Sequence, residues 1–146
     1  MNVDYAISIA APRAVVWDIL TDVERWPEWT ASMRGVQYVD ADRLTLGGHV
    51  RIKQPGMPAL VWEVTALVPQ ESFAWVARSS GLTTVGLHQL TLRPSGDVTV
   101  RLGLEQSGPL AWLAGLLSAR RTRRYVQMEA DGLKRRSEEA ALASHG

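Results

Sequence analysis

The sequence predicts an α+β domain in which a curved antiparallel sheet of about seven strands packs against one long C-terminal helix, with two short helices after the first strand. Three observations carry this reading. Residues 3–9 alternate apolar and polar side chains at the period of a half-buried strand. Between Met33 and Glu105, further strand-like runs are separated by short connectors rich in turn residues. From Leu110 to about residue 140 there is no proline, and helix-forming residues dominate.

Taken in order, the strand at 3–9 leads into Pro12, which suits the first turn of a helix because its missing N–H has no partner to lose there. Val15, Val16, Ile19 and Leu20 follow at helical spacing. Asp22 is placed to cap a second short helix, which Pro27 limits by pushing Trp26 away from helical angles. Strands are expected at 34–40, 48–54, 60–68, 72–78, 83–93 and 97–105. Turns at 40–42, 54–58, 69–70, 79–81 and 94–97 join them into an antiparallel meander. A final helix of ~30 residues would run ~45 Å, long enough to cross the whole sheet. Residues 143–146 are expected to fray.

With 146 residues the chain is read as one domain, 1–146, large enough for a core and one cavity. A formal net charge of +1 argues against a nucleic-acid binder. There is no cysteine, hence no disulfide framework, thiolate nucleophile or cysteine metal site. The three histidines, His49, His88 and His145, are scattered, so no metal is expected. No signal-peptide pattern and no apolar run of transmembrane length occur, and the expected location is cytoplasmic. No phosphate-binding loop, dinucleotide glycine motif or serine-centred elbow is present, and no cofactor is expected.

The opening Ala11-Pro-Arg-Ala-Val-Val-Trp-Asp-Ile-Leu-Thr-Asp-Val-Glu-Arg-Trp-Pro-Glu-Trp29 resembles the N-terminus of the START-like (SRPBCC) superfamily, especially its polyketide cyclase/dehydratase-like branch. Val50–Gly56, Val61–Thr65 leading to Phe73-Ala-Trp75, and Tyr125–Glu138 extend the resemblance over nearly the whole chain. It implies a helix-grip fold and a pocket for a hydrophobic small molecule between the sheet and the last helix. It does not transfer an activity, since one fold hosts carriers, receptors and cyclases.

A helix laid over a concave sheet leaves space at one end, and strand parity indicates which side chains face it. Trp62 with Val64, Phe73 with Trp75 and Ala77, and Thr84 with Gly86, His88, Leu90 and Leu92 share inward faces, unless a bulge reverses them. The chain has six tryptophans against one phenylalanine, which either fill a core or line a cavity for a flat or greasy ligand. His88, mid-strand among apolar neighbours, is the candidate acid/base. The alternative is a core histidine bonded to a polar neighbour. On the helix, Leu113, Leu117, Met128 and Gly132 cluster on one side at 100° per residue, and Arg121 and Arg124 fall with them. These arginines would hold an anionic end of a ligand, or else snorkel or pair internally. The segment 110–117 is apolar all round, which suits a lid, a dimer contact or burial under the 54–58 loop.

The expected function is therefore binding of a hydrophobic or aromatic molecule such as a lipid, polyketide or aromatic, by a monomer or homodimer. One alternative is a cyclase, aromatase or dehydratase using His88, with Arg121 or Arg124 steadying an enolate. Another is a partner-binding or chaperone-like module using 110–117 as an exposed patch.

Overall fold

In a computed structural model describing residues 2–144, seven strands form one antiparallel sheet. They are β1 (Asn2–Ile9), β2 (Gly35–Tyr38), β3 (His49–Lys53), β4 (Leu60–Val68), β5 (Ser72–Ser79), β6 (Leu82–Leu92) and β7 (Val98–Ser107). Helix α1 (Arg13–Thr21) and a 3-10 helix (Val23–Glu28) follow β1, and α2 (Ala111–Ser144) closes the chain. The sheet order is β1-β7-β6-β5-β4-β3-β2, so a meander from β2 to β7 ends beside β1. This is the curved sheet and long helix that the sequence predicts. Residues 145–146, part of the tail expected to fray, lie outside the described residues, while α2 continues to Ser144.

Alternation decides which strand residues enter the core. Val3 and Ile9 of β1 and Val98, Val100 and Leu102 of β7 are buried, whereas Asp4 and Arg101 between them pair on the outside. In β4 the register slips between Val64 and Ala66, leaving Thr65 without a partner in β5. Such a bulge flips parity. Trp62 and Val64 therefore point inward before it, and Leu67 packs against the core after it.

Two local expectations change. Pro12 stands just before the first turn of α1, where its carbonyl accepts from the N–H groups of Val15 and Val16. Asp22 occupies the cap position of the 3-10 helix without a side-chain cap bond and pairs with Arg25 at 3.5 Å. Pro27 lies inside that helix, whose buried Trp26 donates from Nε1 to the carbonyl of Leu20 at 3.0 Å.

The second half of α2 is seated tightly. A Cβ at Gly132 would come within 2.0 Å of the Trp29 carbonyl oxygen, so only glycine allows this approach. Arg135 donates to the same oxygen at 3.1 Å. Leu133, Ala130, Ser137 and Ala141 are buried along this stretch.

Candidate functional site

The first half of α2 stands off the sheet and leaves a cavity of about 250 Å³. Its sheet wall is Leu60, Trp62, Ala77, Ser79, Leu82, Thr84, Leu104 and Gln106. Its helix wall is Ala114, Ser118, Arg121, Thr122, Tyr125, Val126 and Glu129, and Gln54, Met57 and Pro58 complete it from the β3–β4 loop. The loop is clasped to the helix: Tyr125 donates to the Pro55 carbonyl at 2.8 Å, and Arg121 to the Gly56 carbonyl at 3.5 Å. An inner lobe of about 50 Å³ reaches Met33, Ile52, Trp75, Gly86, His88 and Leu102. The two lobes share Gln54, Trp62, Leu104, Val126 and Glu129.

His88 lies at the inner end, packed in aromatic rings. It stacks on Phe73 with ring centroids 4.0 Å apart, and Trp75 and Trp26 stand at 5.2 and 5.7 Å. Its Nδ1–H donates to the Phe73 carbonyl at 3.2 Å, since a carbonyl can only accept, which leaves Nε2 as the acceptor. Burial pushes its pKa down to about 3, so the ring is neutral at ordinary pH. Gly86 makes room for this arrangement, because a Cβ there would come within 2.6 Å of Trp75 Nε1.

Glu129 is the opposite case. Glu129 lines both lobes, and its carboxyl has no hydrogen bond or ion pair to any described residue. Burial alone pushes its pKa up to about 8, which keeps it largely protonated at neutrality. A neutral carboxyl can both donate and accept a hydrogen bond.

Of the residues expected to contact a ligand, Trp62, Thr84 and Arg121 line the outer lobe, and Trp75, His88 and Trp62 the inner one. Phe73 and Leu90 are buried in the core behind these walls, whereas Leu92, expected on the same face as Leu90, is exposed at the end of β6. Four helix residues depart from expectation. Leu117 and Arg124 are exposed, and Leu113 and Met128 are half-buried without lining either lobe. Choosing the face by its largest apolar residues sets it about a quarter turn off, at 100° per residue. The true wall is built of small and polar residues, and seating at Gly132 fixes the roll of the helix. The apolar 110–117 segment is likewise not buried under the 54–58 loop, since Trp112, Leu116 and Leu117 face solvent.

Sequence reasoning missed Glu129, Tyr125, Thr122, Ser118 and Ala114. The available signal was the buried series Val126, Ala130, Leu133, Ser137 at helical spacing. Extended backward by one and two turns, it reaches Thr122 and Ser118. Among the described residues no cluster of three potential metal ligands occurs, and no helix is long and apolar enough to cross a membrane.

The family model described as "Polyketide cyclase / dehydrase and lipid transport" matches residues 1–138. No curated protein sequence matches the chain. Solved structures similar to it include a hypothetical protein from Helicobacter pylori, with 16% identity over 94% of this chain and 88% of that one, at a TM-score of 0.82. A protein from Thermus thermophilus is similar over 100% of both chains, with 16% identity and a TM-score of 0.76. The di-domain ARO/CYC StfQ from the steffimycin biosynthetic pathway is similar over 94% of this chain and 45% of its own, with 14% identity and a TM-score of 0.69. At these identities the likeness is one of fold.

Proposed function

Because the chain belongs to the polyketide cyclase/dehydrase and lipid transport family, we propose that it holds a small, mainly hydrophobic, uncharged molecule in the two-lobed cavity, with an oxygen of that molecule bonded to Glu129. The observation that carries this reading is an unpartnered carboxyl set in a largely apolar cavity. Glu129 is half-buried, so a ligand that displaces water from its carboxyl must offer a hydroxyl or carbonyl in exchange or leave the group unpartnered at a cost of about 1–3 kcal/mol. A carboxylate ligand would face a carboxyl that cannot neutralise it, which disfavours acids in the deep lobe. The outer volume lies just under the ~300–1,000 Å³ typical of small-molecule pockets, so the ligand is compact or leaves one end outside.

A second reading is favoured by the same residue. Glu129, with a pKa of about 8, is poised near neutrality, where a general acid/base works best. His88, at about 3 and tied to Phe73, is a weak base that orients a ligand through Nε2. If the protein turns over its ligand as a cyclase or dehydratase, Glu129 moves the proton.

Native mass spectrometry of protein purified from its own host, followed by organic extraction, tests both. The expected result is one bound neutral molecule per chain, lost in Ala114→Trp, which fills the outer lobe. Glu129→Leu should weaken binding about tenfold, the cost of one lost hydrogen bond. Glu129→Gln, whose amide still donates, should keep binding; under the enzyme reading it should abolish turnover. A cavity that stays empty from the host and against a panel of hydrophobic ligands would overturn both readings.

A further inference from the structure

The outer side of the first half of α2 carries an unusual stripe. Trp112, Leu116 and Leu117 are 69%, 75% and 76% exposed. At 100° per residue they share one side of the helix with Arg120, Arg123 and Arg124, which are exposed as well. The opposite side of these turns, with Ala114, Ser118 and Thr122, faces the cavity. From Leu110 to Met128 there are four arginines and no acidic residue. Among the described residues, none of the four is ion-paired. The rest of the chain holds twelve basic and fifteen acidic residues, so positive charge is concentrated here on an otherwise negative molecule.

We propose that this stripe docks the protein on an anionic lipid bilayer, with Trp112, Leu116 and Leu117 entering the interface and the arginines binding lipid phosphates. Exposed tryptophan and leucine beside unpaired cations is the composition of interfacial helices. An indole favours the headgroup level because one edge is apolar and the N–H is polar. Guanidinium matches phosphate bidentately. The segregation runs along the helix: Arg120 follows Trp112 by about 12 Å and Arg124 by about 18 Å, at 1.5 Å per residue. An inclined helix would thus sink its apolar turns ~5–10 Å and keep its arginines at the phosphates. The acidic remainder of the chain is repelled by the same surface, which orients the molecule.

Other occupants fit less well. A nucleic acid would use the arginines and leave Leu116 and Leu117 without a role. A second copy presents the same stripe, which has no carboxylate to meet the arginines.

Co-sedimentation with vesicles tests the proposal without involving the cavity, so its outcome is independent of whether a ligand is ever found. Vesicles of phosphatidylcholine alone are compared with equal parts phosphatidylcholine and phosphatidylglycerol, at low and high salt. The protein should pellet with the mixed vesicles only, and less so at high salt. Each arginine lost should weaken binding about fivefold, so Arg123→Gln/Arg124→Gln should cost on the order of twentyfold. Arg123→Lys/Arg124→Lys should retain most binding. Leu116→Ser/Leu117→Ser should lose at least tenfold, with unchanged thermal unfolding confirming that these exposed sites leave the fold intact. Equal pelleting with both vesicles, no pelleting, or stripe variants that bind like wild type would overturn it. So would sedimentation equilibrium showing that the stripe pairs two copies, or a gel shift showing that it binds duplex DNA instead.

Discussion

Between Ala111 and Met128, α2 turns Trp112, Leu116 and Leu117 to solvent and gives the cavity Ala114, Ser118 and Thr122. Between Glu129 and Ser144, the same helix buries Ala130, Leu133, Ser137 and Ala141 and comes so close to Trp29 that only glycine fits at 132. One half fixes the helix on the fold, and the other is held off the sheet to leave a space. A helix spanning a whole sheet can therefore divide structural and binding roles along its length, with Glu129 at the border between them.

Four measurements break or sharpen this division. Leu133→Ala, in the seated half, should cost the ~2–5 kcal/mol of a core truncation, read from urea unfolding. Gly132→Ala should cost about 2 kcal/mol net, the strain of overpacking against the Trp29 carbonyl outweighing the ~1 kcal/mol gained from helix propensity. A neutral or stabilising result would show that the helix seats more loosely than its geometry implies.

The third measurement is stability against pH, where the two buried titratable groups act with opposite sign. His88 falls from 6.5 to about 3 on folding, so its contribution is lost as pH drops below 6.5 toward 3. Glu129 rises from 4.5 to about 8, so its contribution is full below 4.5 and lost as pH rises toward 8. Between 4.5 and 6.5 the two slopes cancel. Thermal unfolding should show a plateau there, with an alkaline limb no steeper than about 1.4 kcal/mol per pH unit and a steeper acid limb, to which Asp4, Asp40 and Glu138 add because their hydrogen bonds hold them below the usual carboxylate range. Glu129→Gln should flatten the alkaline limb and leave the acid one. The smallest effect is expected at Leu117→Ala in the free half, within about 0.5 kcal/mol of wild type.

The sheet was legible in the sequence because strand parity is a local rule. The run 60–68 was read at its true bounds, and the others within a few residues. Parity likewise put Trp62, Trp75, Thr84 and His88 on the inner face, and the lobes are lined accordingly. The bulge at Thr65 was not legible, since nothing in Val64-Thr65-Ala66 marks an extra residue. The helix wall was illegible for a different reason. Periodicity gives the angles between residues and not the roll of the whole helix, which is set by distant contacts of its second half: Gly132 on Trp29, Lys134 donating to the Ser8 carbonyl and Glu138 accepting from the Ala10 N–H. Apolar size pointed to Leu113 and Leu117, which tertiary packing left half-buried and exposed respectively. Glu129 was hidden by the same error, since a lone glutamate on a helix of charged residues carries no mark of burial.

The tryptophans now divide into two populations with different optical access. Trp17, Trp26, Trp29, Trp62 and Trp75 are buried, and Trp112 alone of the six stands in water. An aqueous quencher such as iodide should reach Trp112 and spare the rest. Occupation of the cavity should perturb emission from Trp62 and Trp75, which line it. Arrival at a bilayer should shift the Trp112 emission to the blue and shield it from iodide. Trp112→Phe would silence the second signal and leave the first, so filling and docking can be followed separately in one unlabelled sample.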